Sequence, residues 1–321
     1  MTKKILIIRR DNIGDLVCTT PMLAALRKAM PDAWIGVLVN QYNVAVMRGN
    51  PDVNDVFAYR KAKHRAPGES KLAIWLETAG LLWKLRRKGV DVAIVASPGG
   101  DRYARLVGAR RIIADKPGAP FHEVEAVGKL LAPLGIEPEL GPLQLTPLPE
   151  VVAAMRPKLA ELSGRKIWAI HLSAREKSRR WPAEKYIELI ERLASPERGF
   201  ALFWSPGPAD HPAHPGDDEK AALVLAACRD KGAVPVVTER LEELIAALSL
   251  CDGFVGADGG AMHLAAALNL KTAALFENSE AKRTRWYPWG ARHVLLQPTT
   301  FAVADISVDQ VEAAVRELEG T

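Results

Sequence analysis

The side chains best suited to chemistry in this 321-residue chain sit in a few short polar segments. The first is RRDNIGD, residues 9–15, which follows the apolar run ILII. It sets Asp11 and Asp15 beside Arg9 and Arg10, with Asn12 and Gly14 between the acids. A carboxylate just past a buried strand is a candidate general base, able to take a proton from an attacking hydroxyl. The competing role is structural: Asp15 or Asp11 pairs with Arg9 or Arg10 and only shapes the loop. On position alone the two stand even.

The second segment is ADGGAMHLAAAL, residues 257–268. Gly259 and Gly260 let a ligand approach the backbone. The unpaired N–H groups of the first turn of the helix that follows can hold a diphosphate. Asp258 is placed to accept hydrogen bonds from sugar hydroxyls, or to serve as a helix N-cap. His263, in the first turn, is either a donor to phosphate or sugar or a satisfied, partly buried histidine. The third segment is HLSAREKSRRWP, residues 171–182, where Arg175, Lys177, Arg179 and Arg180 precede a helix start at Trp181-Pro182. Four cations there favour an anion site. A fourth, FENSEAKRTRWYPWG (276–290), adds Lys282, Arg283 and Arg285 with two tryptophans. Neither GxGxxG nor a Walker A motif occurs in the chain.

The elements that must position these segments are strands alternating with helices, which predicts βα units and parallel sheets. In the first half the strands are 4–9, 34–39, 55–59, 91–96 and 111–114, and the helices 20–30, 41–49, 71–88, 101–107 and 122–134. Thr20 reads as the cap of the first helix, with Pro21 at its first position. Gly14 reads as a sharp turn or a positive φ, which leaves Asp15 in a loop. The segment GIEPELGPLQLTPLPE (135–150) reads as a linker. A second series follows, with strands 166–171, 200–204, 233–237, 253–257, 272–276 and 293–297. Its helices are 183–194, 218–230, 240–249, 260–268 and 309–319. The expected architecture is α/β, two Rossmann-like domains over residues 1–150 and 151–321. Ligands in such sheets bind at the carboxyl ends of the strands.

Composition narrows the partners. Residues 1–150 hold 22 Lys and Arg against 15 Asp and Glu, and residues 151–321 hold 21 against 23. The basic half includes RKAKHR (60–65) and WKLRRK (83–88). Taken singly these are solvated faces; together they favour an anionic substrate or surface. Nucleic acid is disfavoured, because no helix-turn-helix, zinc-finger or RNP signature is present. Cys18, Cys228 and Cys251 lack metal-ligand spacing and suggest a reducing compartment. His211 and His214 lie in a Pro-rich stretch that reads as a solvated loop, so no metal is expected. MTKKILIIRR is not a signal peptide, and no apolar run approaches the roughly 20 residues of a membrane helix.

These segments, in this order, resemble the heptosyltransferase family, also called glycosyltransferase family 9, of bacterial lipopolysaccharide core synthesis. DNIGDLVCTTPMLAALRKAMPDA resembles its opening loop and first helix, RRWP its basic-Trp-Pro motif and DGGAMHLAAAL its donor-binding helix start. LFENSEAKRTRWYPWG resembles the loop that follows. The resemblance implies a GT-B fold of two facing Rossmann-like domains, with the last helix packing back on the first domain. It implies an inverting transfer from a nucleotide-diphosphate sugar, usually ADP-heptose, to an anionic lipid-linked saccharide. The setting it implies is the cytoplasm, with peripheral contact at the inner face of the inner membrane and no cofactor. Asp15 matches the catalytic aspartate, and Asp258, Gly260 and His263 match Asp-x-Gly-x-x-His. Arg9, Arg10, Asn12 and Gly14 are then acceptor or loop candidates. Arg179 stands where the family has lysine, and Lys177 is the nearby cation that shares its role; Gly259 stands where Ser or Thr is common. An epimerase or hydrolase of nucleotide sugars, or a non-catalytic nucleotide-sugar module, are the alternatives. The family's acid after the strand at 200–204 falls on Asp210 or Glu219.

Overall fold

The computed structural model describes residues 2–60, 70–114, 118, 120–209 and 215–320. Asp210, His211, His214 and the basic residues at 61–65 lie outside them. The chain forms two compact units, Met1–Thr146 and Pro147–Thr321.

In the first unit the strands are β1 (Lys4–Ile8), β2 (Trp34–Asn40), β3 (Asp55–Tyr59), β4 (Val92–Val95) and β5 (Arg111–Ile113). They pair in parallel in the order β3-β2-β1-β4-β5. The helices are α1 (Ile13–Val17), α2 (Thr20–Ala29), α3 (Lys71–Lys88), α4 (Asp101–Val107) and α5 (Glu123–Gly128). The strands read as near-continuous apolar runs because both faces of a parallel sheet are covered; Ile5 to Ile8 are all fully buried. Residues 41–49 give only a short 3-10 turn at Val44–Met47, and 122–134 splits into α5 and a 3-10 segment, Lys129–Leu134.

The second unit opens with α6 (Pro149–Met155) and a 3-10 turn, Arg156–Leu162, at the end of the stretch read as linker. Its strands are β6 (Lys166–His171), β7 (Arg198–Phe203), β8 (Ala233–Pro235), β9 (Gly253–Ala257), β10 (Lys271–Leu275) and β11 (His293–Leu296). They are parallel, in the order β11-β10-β9-β6-β7-β8. The helices are α7 (Ala183–Leu193), α8 (Asp218–Cys228), α9 (Leu241–Leu248), α10 (Gly260–Ala267), α11 (Glu280–Trp286) and α12 (Val308–Glu319).

Helix α12 packs against α7, β10 and β11 of its own unit. Its sequence explains this. Val311, Ala314, Val315 and Leu318 form one apolar stripe that joins the core of Trp168, Leu189, Leu193 and Leu275. Glu319 then accepts from Trp168 Nε1 at 2.8 Å and from Arg198 Nε at 2.9 Å, anchoring the helix end.

In each sheet the strand order reverses once: between β1 and β4, and between β9 and β6. Chain connections leave in opposite directions there, and a crevice opens at the carboxyl ends of the strands. The loops after β1 and β4 therefore meet in the first unit, and those after β6 and β9 in the second. Register at the second reversal pairs Trp168 with Gly253. A Cβ on Gly253 would stand 2.7 Å from the Trp168 ring, so the glycine is what lets the indole lie across β9. Gly253→Ala should destabilise the protein by about 1–3 kcal/mol through overpacking, measured by urea denaturation. An unchanged midpoint would show that the indole has room to move.

Candidate active site

The loop after β1 is largely helical. Residues 13–17 form the five-residue helix α1, so Asp15 lies in its first turn and not in an open loop. Asn12 caps that turn: Asp15 Oδ2 accepts from the Asn12 backbone N–H at 3.2 Å and from its side-chain amide at 3.1 Å. Gly14 is buried inside α1 and has no positive φ, so the expected sharp turn is absent. Helix α2 begins at Thr20, but its N-cap is Thr19 and not Thr20 as expected, with Pro21 in its first turn.

Arg9 is completely buried, and its guanidinium gathers three acids. Nη2 donates to Asp15 Oδ1 at 2.7 Å and to Glu123 Oε1 at 2.6 Å, and Nε lies 3.5 Å from Asp11 Oδ2. Nη1 donates to the carbonyl of Ala96, at the end of β4. Burial works against the charge of Arg9, but Asp15, Glu123 and Asp11 outweigh it and raise its pKa. Arg9, read from the sequence as an acceptor or loop candidate, is thus turned inward and acts on Asp15.

Glu123, also fully buried, is a partner that the sequence reading missed. It lies 114 residues from Arg9 and opens α5. His122 caps that helix, its Nδ1 accepting from Val124 N at 3.1 Å, while Glu125 accepts from His122 N at 2.9 Å. A helix N-terminus is a favourable place for the Glu123 charge. The only signal in the sequence was the acidic pair in HEVE.

Arg10 is half-buried. Its Nε donates to the Tyr59 hydroxyl at 2.7 Å and its guanidinium lies over the Tyr103 ring, 4.0 Å from the centroid. Asn12 is exposed, and Asp15 keeps a side-chain exposure of 16%. The site therefore presents one partly open carboxylate, braced on one oxygen by a buried arginine and on the other by Asn12. Such a group can accept a proton from a hydroxyl brought to its open side.

In the second unit the loops after β6, β9 and β10 converge. Arg179 Nη1 lies 3.1 Å from Asp258 Oδ2, and Arg179 Nε lies 3.1 Å from Glu277 Oε2. Ser178 Oγ and Lys282 Nζ also donate to Glu277. Burial pushes the Asp258 carboxyl up from its ordinary range, with Arg179 and Lys282 opposing. Sequence reasoning makes Arg179 and Lys177 donor- and phosphate-binding candidates. Arg179 pairs with two carboxylates, Lys177 lies exposed on a 3-10 turn, and Lys282 from α11 joins the cluster. Glu277, buried at the end of β10, was not anticipated. Nor was Asp217, the buried acid paired with Lys220 at 3.2 Å after β7; Glu219, the described candidate there, is exposed.

Helix α10 starts at Gly260 with Gly259 as its N-cap, so Asp258 is not the cap. A Cβ on Gly259 would meet nothing closer than the Ala257 carbonyl at 3.9 Å. The chain's own packing therefore leaves open the approach to the first-turn N–H groups. His263 is buried in α10, edge-on to Trp286 at 5.9 Å. No group of metal-ligating side chains occurs among the described residues.

Removing one partner from a buried ion pair leaves the other charge stranded, at a cost of about 3–5 kcal/mol. Arg9→Met should lose stability in that range by urea denaturation, since it strands both Asp15 and Glu123. A loss below about 1 kcal/mol would show that water reaches the cluster.

A model of glycosyltransferase family 9 (heptosyltransferase) matches residues 115–310. The chain is 25% identical over 303 residues to lipopolysaccharide heptosyltransferase 3 of Escherichia coli, covering 86% of this chain and 83% of that one. Among solved structures, the glycosyl transferase family 9 protein of Veillonella parvula superposes with a TM-score of 0.83 at 18% identity, over 98% and 97% of the two chains. E. coli heptosyltransferase WaaC with ADP superposes with a TM-score of 0.75 at 17% identity, over 98% and 99%. These likenesses give the paired parallel α/β units their fold type, GT-B. By the family match the chain belongs to glycosyltransferase family 9, the heptosyltransferases, and is a glycosyltransferase.

Proposed function

We propose that the protein transfers a heptose from ADP-heptose to a hydroxyl of an anionic, lipid-linked lipopolysaccharide core saccharide, with inversion at the anomeric carbon. The observation that carries the mechanism is the braced, partly open carboxylate of Asp15 at the switch point of the first sheet. Asp15 takes the proton of the acceptor hydroxyl as its oxygen attacks the anomeric carbon and the bond to the diphosphate breaks. Inversion follows from this single displacement on an oxocarbenium-like centre.

The second unit holds the donor. First-turn N–H groups of α10 take the diphosphate across Gly259 and Gly260, where the helix dipole favours negative charge. Lys177 and Arg175, both exposed on the neighbouring loop, add charge to meet the leaving diphosphate, and no metal or cofactor takes part. Arg179 and Lys282 neutralise Asp258 and Glu277, and so orient Asp258 towards sugar hydroxyls. His263 lines the same helix start. Support for the adenine nucleotide comes from WaaC, whose structure was solved with ADP. Support for the acceptor comes from the lipopolysaccharide heptosyltransferase 3 relative. Family membership favours transfer over epimerisation, hydrolysis or bare binding. The basic first unit suits an anionic acceptor met from the cytoplasmic side of a membrane.

General-base action contributes about 10²–10⁴-fold. Asp15→Asn should lose that much in kcat while still binding ADP-heptose, followed by calorimetry; equal rates for variant and parent would remove Asp15 as the base. Acceptor KM should rise with salt, because exposed charges are screened beyond about 8–10 Å at 0.1–0.15 M. A salt-independent KM would separate acceptor recognition from the basic surface.

A further inference from the structure

Helix α11 is held tightly at its start. Ser279 caps it, its hydroxyl accepting from Lys282 N at 3.4 Å. Gln297 Nε2 donates to the carbonyl of Glu277 at 2.7 Å and to that of Ser279 at 3.4 Å. The helix therefore leaves directly from the buried acid Glu277. Lys282 and Trp286 are four residues apart, so their side chains share one face of the helix, a turn apart. Lys282 Nζ donates to Glu277. Trp286 stands edge-on to His263 of α10, with 5.9 Å between ring centroids. One face of α11 thus reaches from the carboxylate cluster to the helix that follows Gly259.

The setting of this indole differs from that of a packing tryptophan. Trp168 and Trp181 are buried in the core of the second unit, and each Nε1 donates a hydrogen bond, to Glu319 and to the Ile306 carbonyl. Trp286 is half-buried and lies outside that core. Its neighbour His263 is almost wholly buried, so beside the start of α10 the partly open ring is the indole, not the imidazole. Arg285 lies over the same indole, 5.4 Å from the ring centroid.

A diphosphate on the first turn of α10 places its sugar among the residues that border that turn. Asp258 meets hydroxyls there. The C–H face of the sugar and its anomeric carbon need an apolar neighbour, and an indole is the largest that a side chain offers. Closing off that carbon matters because water competes with the acceptor hydroxyl as nucleophile.

We infer that Trp286 packs on the C–H face of the donor sugar and shields its anomeric carbon from water, so that it decides transfer over hydrolysis. This rests on the reading that α10 holds the donor diphosphate. In the reaction it suppresses, a water oxygen bonds to the anomeric carbon while the bond to the diphosphate oxygen breaks. ADP leaves with the electron pair, the sugar keeps the new hydroxyl, and the second water proton goes to solvent.

ADP-heptose without any acceptor tests it in the full chain. The parent should bind it and release ADP only slowly. Trp286→Ala should release ADP about tenfold faster or more, the low end of the discrimination that one apolar contact supplies. Trp286→Gln, which fills more of the space with a group that water solvates, should do the same. Trp286→Phe keeps an apolar wall and should stay close to the parent. So should Trp289→Ala, in the same segment but stacked on Tyr287 at 5.8 Å. By calorimetry Trp286→Ala should bind ADP as the parent does and ADP-heptose more weakly, since the lost contact is with the sugar. The inference is overturned if the parent binds ADP-heptose and neither Trp286→Ala nor Trp286→Gln speeds ADP release. It is overturned equally if Trp286→Phe or Trp289→Ala releases ADP as fast as Trp286→Ala, or if ADP and ADP-heptose weaken together. A parent that fails to bind ADP-heptose, or hydrolyses it rapidly by itself, would overturn the transfer reading and this inference with it.

Discussion

A buried guanidinium is costly to desolvate, and Arg9 has no exposure at all. It is tolerated because the surrounding structure supplies acids from three places: Asp11 and Asp15 from the loop after β1, and Glu123 from the start of α5. Charge-assisted hydrogen bonds in a dry setting are strong and directional. The same bonds that satisfy Arg9 therefore fix the side chain of Asp15. The carbonyl of Ala96 at the end of β4 completes the set, which ties the site to the strand reversal. Sheet order, α5 and the position of the candidate base are thus one constraint.

The second unit solves a related problem with balanced charge. Arg179 and Lys282 face Asp258 and Glu277 where three loops meet at the β9–β6 reversal. Each buried acid has a cation, so the cluster holds its geometry without net charge. What it holds is the loop leading into α10, whose N-cap, Gly259, leaves space beside the first-turn N–H groups, which in any helix lack intrahelical partners. Trp168 lying across Gly253 fixes the register of β6 against β9, and so fixes which loop residues meet. A packing contact in the core in this way sets the polar geometry several residues further along the strands.

Arginine in place of lysine at position 179 acquires a physical account here. A guanidinium is a planar fork and can serve two carboxylates from different edges. Arg179 does so, with Nη1 on Asp258 and Nε on Glu277. An ammonium is a point charge and bridges them less specifically. The partner cation in the cluster is Lys282, not the nearer-in-sequence Lys177, because α11 follows β10 and its first turn returns over Glu277.

The apolar periodicity of the sequence determined the two parallel α/β series, because buried strands and amphipathic helices are local patterns and each repeats within a few residues. It also located the loops that matter: Asp15 after β1, Arg179 after β6 and Asp258 after β9, since the carboxyl ends of strands can be read from strand direction alone. What it left undecided had short-range and long-range causes. Helix α1 is five residues, α11 is rich in charge and aromatics, and α6 begins in a Pro-rich stretch, so none gives a clear helical period. The partners Glu123 and Glu277 are set by chain folding over about a hundred residues, and nothing local to Arg9 or Arg179 points to them. Asp15 illustrates the division: the sequence supplied the acid, its strand end and the neighbours Arg9 and Asn12 that hold its two oxygens, while tertiary structure decided that Arg9 would be buried and shared with Glu123 and the Ala96 carbonyl. A charge's partners depend on which segments a sheet brings side by side, and that is a property of the fold rather than of neighbouring residues.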